Sequence, residues 1–281
     1  MAFGKTITIF WVDGTPDGII TGELSGWNGK CVKLPRDQIN AKRDELEYPG
    51  VYFLICTDTE DGEDTVYIGE TDNLKTRLGQ HVTNYKMKKE NYYWQNVVAF
   101  SSDSLNKALV KYLENRLVEI AKESKRYKVL TKATSPKIHL KEHEIDSMEQ
   151  FIVNMKTILT ALNYRILDEL PSVVQTKELR TMFYLNTKDL HASGYLTNDN
   201  KFLLMKGSSI NPSTTRSCPK TAITKRENLI KEGLIKENIL TDDILLNSSS
   251  LAASLIRGFS TSGPELWRTK EGITLKEIQM Q

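Results

Sequence analysis

The stretch from Pro49 to His81 constrains the fold of this chain more than any other part of the sequence. Two short apolar runs, residues 51–55 and 66–68, flank the acidic segment DTEDGED, which is typical of a β-hairpin with a polar turn. Thr71 or Asp72 is placed to cap a following helix. Apolar residues then recur at helical spacing, at Leu74, Leu78 and Val82. The order strand, turn, strand and helix predicts an α+β unit.

Composition argues against a membrane protein and against a disulfide-stabilised one. Hydrophobic residues make up 39% of the 281, which is enough for a core, and there is no apolar run of about 18 residues that would span a bilayer. The N-terminus does not read as a signal peptide. Three widely spaced cysteines without a CxxC pair argue against a zinc site. We therefore expect a cytoplasmic protein with no membrane contact.

Positive charge is concentrated in the middle of the chain. The net charge is only +2, but lysine and arginine clearly outnumber the acids between Lys75 and Lys141. Such a region suggests a site for a polyanion, and a solvated lysine-rich helix surface is an equally good explanation. The residues that we expect to contact nucleic acid are Gly69, Lys75, Lys86, Lys88, Lys89 and Lys111.

Changes in sequence character divide the chain into four predicted parts. Residues 1–46 form a β element whose strand-like runs precede a helix-like segment, DQINAKRDELE. Residues 47–145 contain the hairpin and the most regular helical pattern, and residues 146–163 are an amphipathic helical linker. Residues 164–281 are predicted as a second α+β domain with short strands, a Ser-capped helix and a final β segment.

Five side chains have the chemistry of a phosphate site. Tyr52 and Tyr67 hold equivalent places on neighbouring strands, so both can lie on one face of the sheet. Arg77 and His81 are four residues apart and share a helix face, and an arginine fork matches two phosphate oxygens. Glu114 borders the apolar stripe of the later helix, where a divalent cation would compensate its charge. Each residue alone has a commoner structural explanation, but the combination is more specific.

The spacing of these residues carries a family resemblance. Gly50-Val51-Tyr52 followed by Tyr67-Ile68-Gly69 resembles the paired signature of the GIY-YIG nuclease superfamily, here of bacterial type, over roughly residues 47–135. Arg77, His81 and Glu114 match further positions of the family pattern. The first tripeptide has valine in place of isoleucine, and residues 126–136 lack the asparagine that the family often carries near the end of the domain.

The resemblance implies a fold and a mechanism. The fold is a small α/β nuclease domain whose short central antiparallel sheet is flanked by helices. Glu114 would hold Mg²⁺ or Mn²⁺, and Arg77 would stabilise charge on the phosphate. Tyr67, supported by Tyr52, would take a proton from the attacking water. That role requires a cationic neighbour, namely Lys75, Arg77 or the metal, to lower the tyrosine pKa. His81 would hydrogen-bond the phosphate or a tyrosine.

The tail resembles a second family. Residues 248–278 are similar to RAMA-like domains of unknown function, and the structural alternative is a packing module with Trp267 in its core. Together the resemblances predict a metal-dependent endonuclease acting on double-stranded DNA, in restriction or mobile-element defence. Two alternatives stay open: a nuclease acting on RNA or single-stranded DNA, and a non-catalytic nucleic-acid reader. Only the enzymes would depend on a metal for their effect.

Overall fold

The protein is described here by a computed structural model covering residues 4–41, 43–56, 60–132, 138–170 and 181–280. Part of the acidic turn (57–59) and part of the stretch lacking asparagine (133–137) lie outside the described residues. The chain forms two compact units, where the sequence analysis predicts four parts. Unit 1 contains Met1–Thr57 and Asp64–Leu170, and unit 2 contains Asp58–Glu63 and Pro171–Gln281. Both units combine helices and sheets, which confirms the α+β class.

Unit 1 is built on one seven-stranded sheet. Its strands are β1 (Ile7–Trp11), β2 (Ile20–Leu24), β3 (Lys30–Pro35), β4 (Gly50–Cys56), β5 (Thr65–Thr71), β6 (Asn96–Ser101) and β7 (Lys128–Val129). Their order in the sheet is β1-β2-β3-β6-β4-β5-β7. The pairs are antiparallel except for β5 with β7. The predicted hairpin is thus β4–β5, at one side of a wider sheet.

The N-terminal strands extend this sheet and do not form a separate element. Strand β3 pairs with β6 along its full length, and its Val32 and Leu34 are completely buried. The helix-like segment after β3 instead forms two 3₁₀ turns, Arg36–Gln38 and Asp44–Leu46. Among the described residues of this segment, Ile39 and Leu46 are buried in the core and Ala41 packs partly buried against it, which does not make the continuous stripe that stabilises an α-helix.

Three helices cover the sheet: α1 (Leu74–Lys86), α2 (Lys107–Ser124) and α3 (Glu142–Ala161). Helix α1 is capped by Asn73, whose side chain accepts the Thr76 N–H at 2.9 Å, and not by Thr71 or Asp72. The Thr71 hydroxyl accepts the Asn73 N–H instead, which shifts the helix start by one to two residues.

Helix α3 covers most of the predicted linker, residues 146–163, and it is a core helix. One side of it packs into the same apolar cluster as β4, β5 and α2. Its buried apolar residues are Met148, Phe151, Ile152, Met155, Ile158 and Leu159. The amphipathic pattern of this segment corresponds to a helix, and the apolar face of that helix packs within unit 1.

The two faces of the sheet pack against different helices. Side chains alternate along β4, so Val51 and Phe53 join the core of α2 and α3, while Tyr52 and Leu54 join the core that contains α1. Because of this alternation, Tyr52 of the first tripeptide lies on the face that packs against α1, the helix that carries Arg77 and His81.

Unit 2 contains a second set of strands and helices. The strands are β8 (Met182–Asn186), β9 (His191–Leu196), β10 (Phe202–Leu204), β11 (Ile235–Lys236), β12 (Ile239–Leu240) and β13 (Ile244–Leu246). Strands β13-β10-β9-β8 form one sheet in that order, and β11 pairs with β12. The helices are α4 (Lys220–Lys231), α5 (Ser249–Arg257), α6 (Gly263–Leu266) and α7 (Leu275–Gln279).

The C-terminal prediction is right about a capped helix and wrong about the chain end. Ser248 caps α5 by accepting the Leu251 N–H at 3.1 Å. The predicted final β segment is instead helix α7, because Thr274 and Glu277 form a capping box that starts a helix. Trp267 is completely buried and donates its indole N–H to the Ser249 carbonyl, so it belongs to the core of this unit. Among the described residues, no helix is long and apolar enough to cross a membrane.

The Thr131 side chain continues the β-ladder beyond β7. Its hydroxyl accepts the Ile68 N–H at 2.9 Å and donates to the Ile68 carbonyl at 2.8 Å, and both residues are buried. Replacing Thr131 with valine leaves two backbone groups of β5 unpaired. We expect the free energy of unfolding to fall by about 3 kcal/mol, measured by urea unfolding of the full chain.

Thr157→Val is the matched control. Thr157 is half-buried on α3, and its hydroxyl donates within its own helix to the Val153 carbonyl at 2.8 Å. Its replacement should change stability by less than about 0.5 kcal/mol. Equal effects of the two substitutions would contradict the role of Thr131 in the ladder.

Candidate active site

The two tyrosines lie side by side on the α1 face of the sheet. In the β4–β5 register Tyr52 is opposite Gly69, and Tyr67 is two residues before Gly69, so all three positions share one face. The rings of Tyr52 and Tyr67 stack with their centroids 6.2 Å apart. A Cβ at Gly69 would overlap the hydroxyl and ring of Tyr52 and press on the Tyr67 ring. The glycine is therefore required by the tyrosine rings.

Helix α1 supplies the partners of the Tyr52 hydroxyl. This side chain has no solvent exposure, and its hydroxyl lies 2.8 Å from His81 Nε2. The Arg77 Nε–H donates to the same oxygen at 3.2 Å. Arg77 also hydrogen-bonds Tyr67, and its Nη1 donates to the Gln80 side chain at 3.1 Å. One guanidinium thus binds both tyrosines. His81 is predicted to hydrogen-bond either the phosphate or a tyrosine, and it contacts the Tyr52 hydroxyl.

His81 has a second partner that the sequence analysis did not predict. Its Nδ1 lies 2.9 and 3.0 Å from the two carboxylate oxygens of Glu90, and the ring is almost fully buried. Glu90 also accepts from the Asn84 side chain at 3.0 Å and from the Tyr92 hydroxyl. The Tyr92 ring in turn stacks on Tyr67, with centroids 5.7 Å apart. The site is therefore a network that includes three residues from the end of α1 and the segment after it.

The turn at the end of α1 explains why these partners were missed. Lys88 has a left-handed backbone with φ 57°, and the N–H groups of Lys88 and Lys89 bond back to Tyr85 and Asn84. This is the Schellman arrangement, in which glycine is the usual residue at the left-handed position. With lysine there, the sequence contains no turn signal, and nothing in the spacing indicates that Glu90 returns to His81.

Glu114 reaches the site from the other side of the sheet. It lies on α2, whose apolar residues pack on the opposite face from α1, and only 8% of Glu114 is exposed. Its negative charge raises the pKa of both Tyr52 and Tyr67, by less than burial does. Within the described ranges, no cluster of three or more His, Cys, Asp or Glu side chains could hold a metal ion. A single carboxylate does suit Mg²⁺, which usually retains several waters and binds substrate phosphate.

Burial dominates the protonation of the site. It raises the pKa of Tyr52 and of Tyr67, while Arg77 lowers both by a smaller amount. Arg77 therefore does not by itself give the lowered tyrosine pKa that the predicted base role requires. Burial also lowers the pKa of His81, although Glu90 opposes that effect. At neutral pH both tyrosines carry their protons and the imidazole is neutral.

The predicted lysines occupy different environments. Lys75 pairs with Glu47 at 2.9 Å. The others lie on or near the site helices. Lys86 is in the last turn of α1, Lys88 and Lys89 are exposed just beyond it, and Lys111 precedes Glu114 by one turn on α2. Their predicted contact with nucleic acid stays a prediction.

This geometry defines a class of protein. Paired tyrosines over a glycine, with an arginine and a histidine from the next helix and a glutamate from a later one, form a site suited to phosphodiester chemistry. The family model described as the GIY-YIG catalytic domain matches residues 48–128, so the chain carries a domain of this nuclease superfamily. A second family model, described as a domain of unknown function (DUF4357), matches residues 183–279.

These matches confirm the predicted nuclease domain and the C-terminal domain of unknown function. The RAMA-like character of the second domain and the bacterial type stay predictions. Comparison with curated proteins and with solved structures finds no match.

Gly69→Ala tests whether the tyrosine rings need the space above this glycine. We expect the free energy of unfolding to fall by about 1–3 kcal/mol, because the Tyr52 ring and hydroxyl must move to accommodate the methyl group. The measurement is urea unfolding of the full chain.

Gly79→Ala is the control for this prediction. Gly79 lies inside α1 and a Cβ there meets open space, so alanine should stabilise the chain by about 0.5–1 kcal/mol through helix propensity. If Gly69→Ala were neutral or stabilising as well, the proposed ring contact would be incorrect.

Proposed function

We propose that this protein is a metal-dependent endonuclease that hydrolyses phosphodiester bonds in double-stranded DNA. The observation that carries the proposal is the joining of Tyr52 and Tyr67 by the Arg77 guanidinium, with His81 as a second partner of Tyr52. The proposal follows the nuclease superfamily to which the GIY-YIG domain belongs.

The side chains divide the work according to exposure and charge. Tyr67 is partly exposed, so water can approach its hydroxyl, whereas Tyr52 is completely buried. We therefore assign Tyr67 to the attacking water and Tyr52 to its support. Arg77 keeps its proton, because the two tyrosines outweigh the effect of burial and raise its pKa. A fixed cation at this place stabilises negative charge that develops on the phosphate.

Glu114 is the residue that we propose as the metal ligand. GIY-YIG nucleases generally use divalent metals, and an oxygen ligand suits Mg²⁺ or Mn²⁺. When bound, such an ion polarises a phosphate oxygen and stabilises the leaving oxygen. Glu114 would hold the ion close to both tyrosines, since its charge already acts on their pKa values.

The surface around α1 supports a nucleic-acid substrate. A cleft with a mixed polar and apolar lining runs along this helix and includes Gln80, which accepts a hydrogen bond from Arg77. The cleft is lined in part by Thr76, Gly79, Gln80, Thr83, Asn84 and Lys86. Lys88 and Lys89 follow at the end of the helix. Hydroxyl, amide and ammonium donors of this kind bind phosphate oxygens without reading sequence.

A cytoplasmic location agrees with three buried cysteines that remain free thiols, Cys31, Cys56 and Cys218. A role in restriction or mobile-element defence would give the C-terminal domain a task in recognising the DNA to be cut.

The test is cleavage of plasmid, single-stranded DNA and RNA by the purified full chain in Mg²⁺, Mn²⁺ or EDTA. We expect plasmid cleavage that EDTA abolishes. If only RNA or only single-stranded DNA were cleaved, that nucleic acid would replace double-stranded DNA as the proposed substrate. Binding without cleavage in either metal would favour the non-catalytic reader.

Glu114→Gln should lower the cleavage rate by about 100-fold, equivalent to about 3 kcal/mol, because it removes the proposed metal ligand but keeps its shape. The control is Glu119→Gln on the same helix, where the side chain is exposed and pairs with Arg116. This variant should cleave at the normal rate. Full activity of Glu114→Gln in Mg²⁺ would show that the assignment of Glu114 as the metal ligand is wrong.

A further inference from the structure

We propose that Glu90 is a positioning residue that fixes His81 in the tautomer whose Nε2 accepts the proton of Tyr52 and that compensates the charge of the resulting imidazolium. The inference rests on the proposed function, since it assigns a task to the buried histidine and to a carboxylate that the family signature does not include. It concerns residues of unit 1 alone.

The tautomer follows from the partners of the two ring nitrogens. The pKa of Glu90 is lowered, because its bonds to Asn84, His81 and Tyr92 outweigh the opposing effect of burial. An ionised carboxylate only accepts hydrogen bonds, so the ring nitrogen between its two oxygens, Nδ1, must carry a hydrogen. In a neutral imidazole Nε2 is then a lone-pair acceptor, and the Tyr52 hydroxyl at 2.8 Å points its hydrogen toward it.

Glu90 is itself held firmly, which a positioning role requires. Only 14% of its side chain is exposed, and Asn84 and Tyr92 both donate to it. Tyr92 also stacks on Tyr67, so the carboxylate is fixed to the same tyrosine pair that it serves. Partners that orient a histidine in this way usually affect the rate through the ring they hold.

The charges around His81 show why a carboxylate is needed there. The groups that face the ring are Tyr52 on β4, Tyr67 on β5, Arg77 on α1, Arg36 in the first 3₁₀ turn, and Glu90 with Tyr92 in the segment after α1. Both arginines and burial disfavour a charged imidazole, and Glu90 alone among these groups favours it. Without Glu90, the ring would be a much poorer proton acceptor.

The proton transfer is balanced within these side chains. The O–H bond of Tyr52 breaks and an N–H bond forms at His81 Nε2, while the Nδ1 hydrogen stays between His81 and Glu90. The products are a tyrosinate beside Arg77 and an imidazolium beside Glu90, so the total charge is unchanged. Each new charge has an opposite charge within hydrogen-bond distance, which offsets the burial that otherwise keeps Tyr52 protonated.

The first experiment is nitrogen NMR of the full chain labelled in histidine, recorded without substrate. The His81 signals are identified among the four histidines by their loss in His81→Asn. We expect the wild-type ring in the Nδ1–H form at neutral pH. An Nε2–H form would overturn the inference, and this result does not depend on whether any variant of Glu90 folds or whether the protein cleaves DNA.

The second experiment compares the pH–rate profiles of wild type and Glu90→Gln. Glutamine can still accept the Nδ1 hydrogen, but it cannot compensate an imidazolium charge. Because Glu90 raises the pKa of His81, its neutralisation lowers that pKa, and the acidic limb of the profile should move to lower pH. The plateau rate should fall about tenfold or more, since the ring becomes a weaker acceptor.

Asn91→Ala is the matched control, because Asn91 is the exposed neighbour of Glu90 in the same segment. It should keep both the rate and the profile. An active wild type with an unchanged rate and profile in Glu90→Gln would overturn the inference alone. A wild type that cleaves none of the nucleic acids would overturn the proposed function, while the NMR result would still decide the tautomer.

Discussion

The buried hydroxyl of Tyr52 is the constraint on which the structure of the site depends. A polar group with no solvent exposure needs hydrogen-bond partners, because leaving it unpaired costs about 1–3 kcal/mol. Here the partners are Arg77 and His81, and both come from the one helix that packs on this face of the sheet. The same hydroxyl also requires the absence of a side chain at Gly69. A single buried oxygen thus connects α1 to the face that β4 and β5 form.

The surroundings of the tyrosines raise their pKa values and also provide a proton acceptor and a countercharge. Burial that orders the rings also raises their pKa values, which opposes their use as bases at neutral pH. Arg77 reduces this effect without reversing it. A neutral His81 beside Tyr52 and an ionised Glu90 behind His81 supply an acceptor and a countercharge, so the order and the reactivity of the site come from the same network.

The sheet and its helices follow from local patterns to different degrees. The β4–β5 hairpin, strand β6 and helices α1 and α2 have clear sequence periodicity, and the structure contains them at the expected places. The segment between β3 and β4 looked helical because of its polar composition, but it lacks an apolar stripe and forms 3₁₀ turns. Likewise, periodicity identified α3 as amphipathic, whereas the partner of its apolar face is decided by the rest of unit 1.

The sequence by itself determined the two paired tripeptides, the shared helix face of Arg77 and His81, and the position of Glu114 beside the apolar stripe of α2. These features depend on residue type and on the fixed periods of strands and helices, which are local properties. Only the tertiary structure decided that β1–β3 join the same sheet, that Glu114 acts on tyrosines from across it, and that Glu90 contacts His81. Those contacts depend on which surfaces meet when the chain folds. The turn that brings Glu90 to His81 has lysine, Lys88, at the left-handed position where glycine is usual, so the sequence does not indicate a turn there.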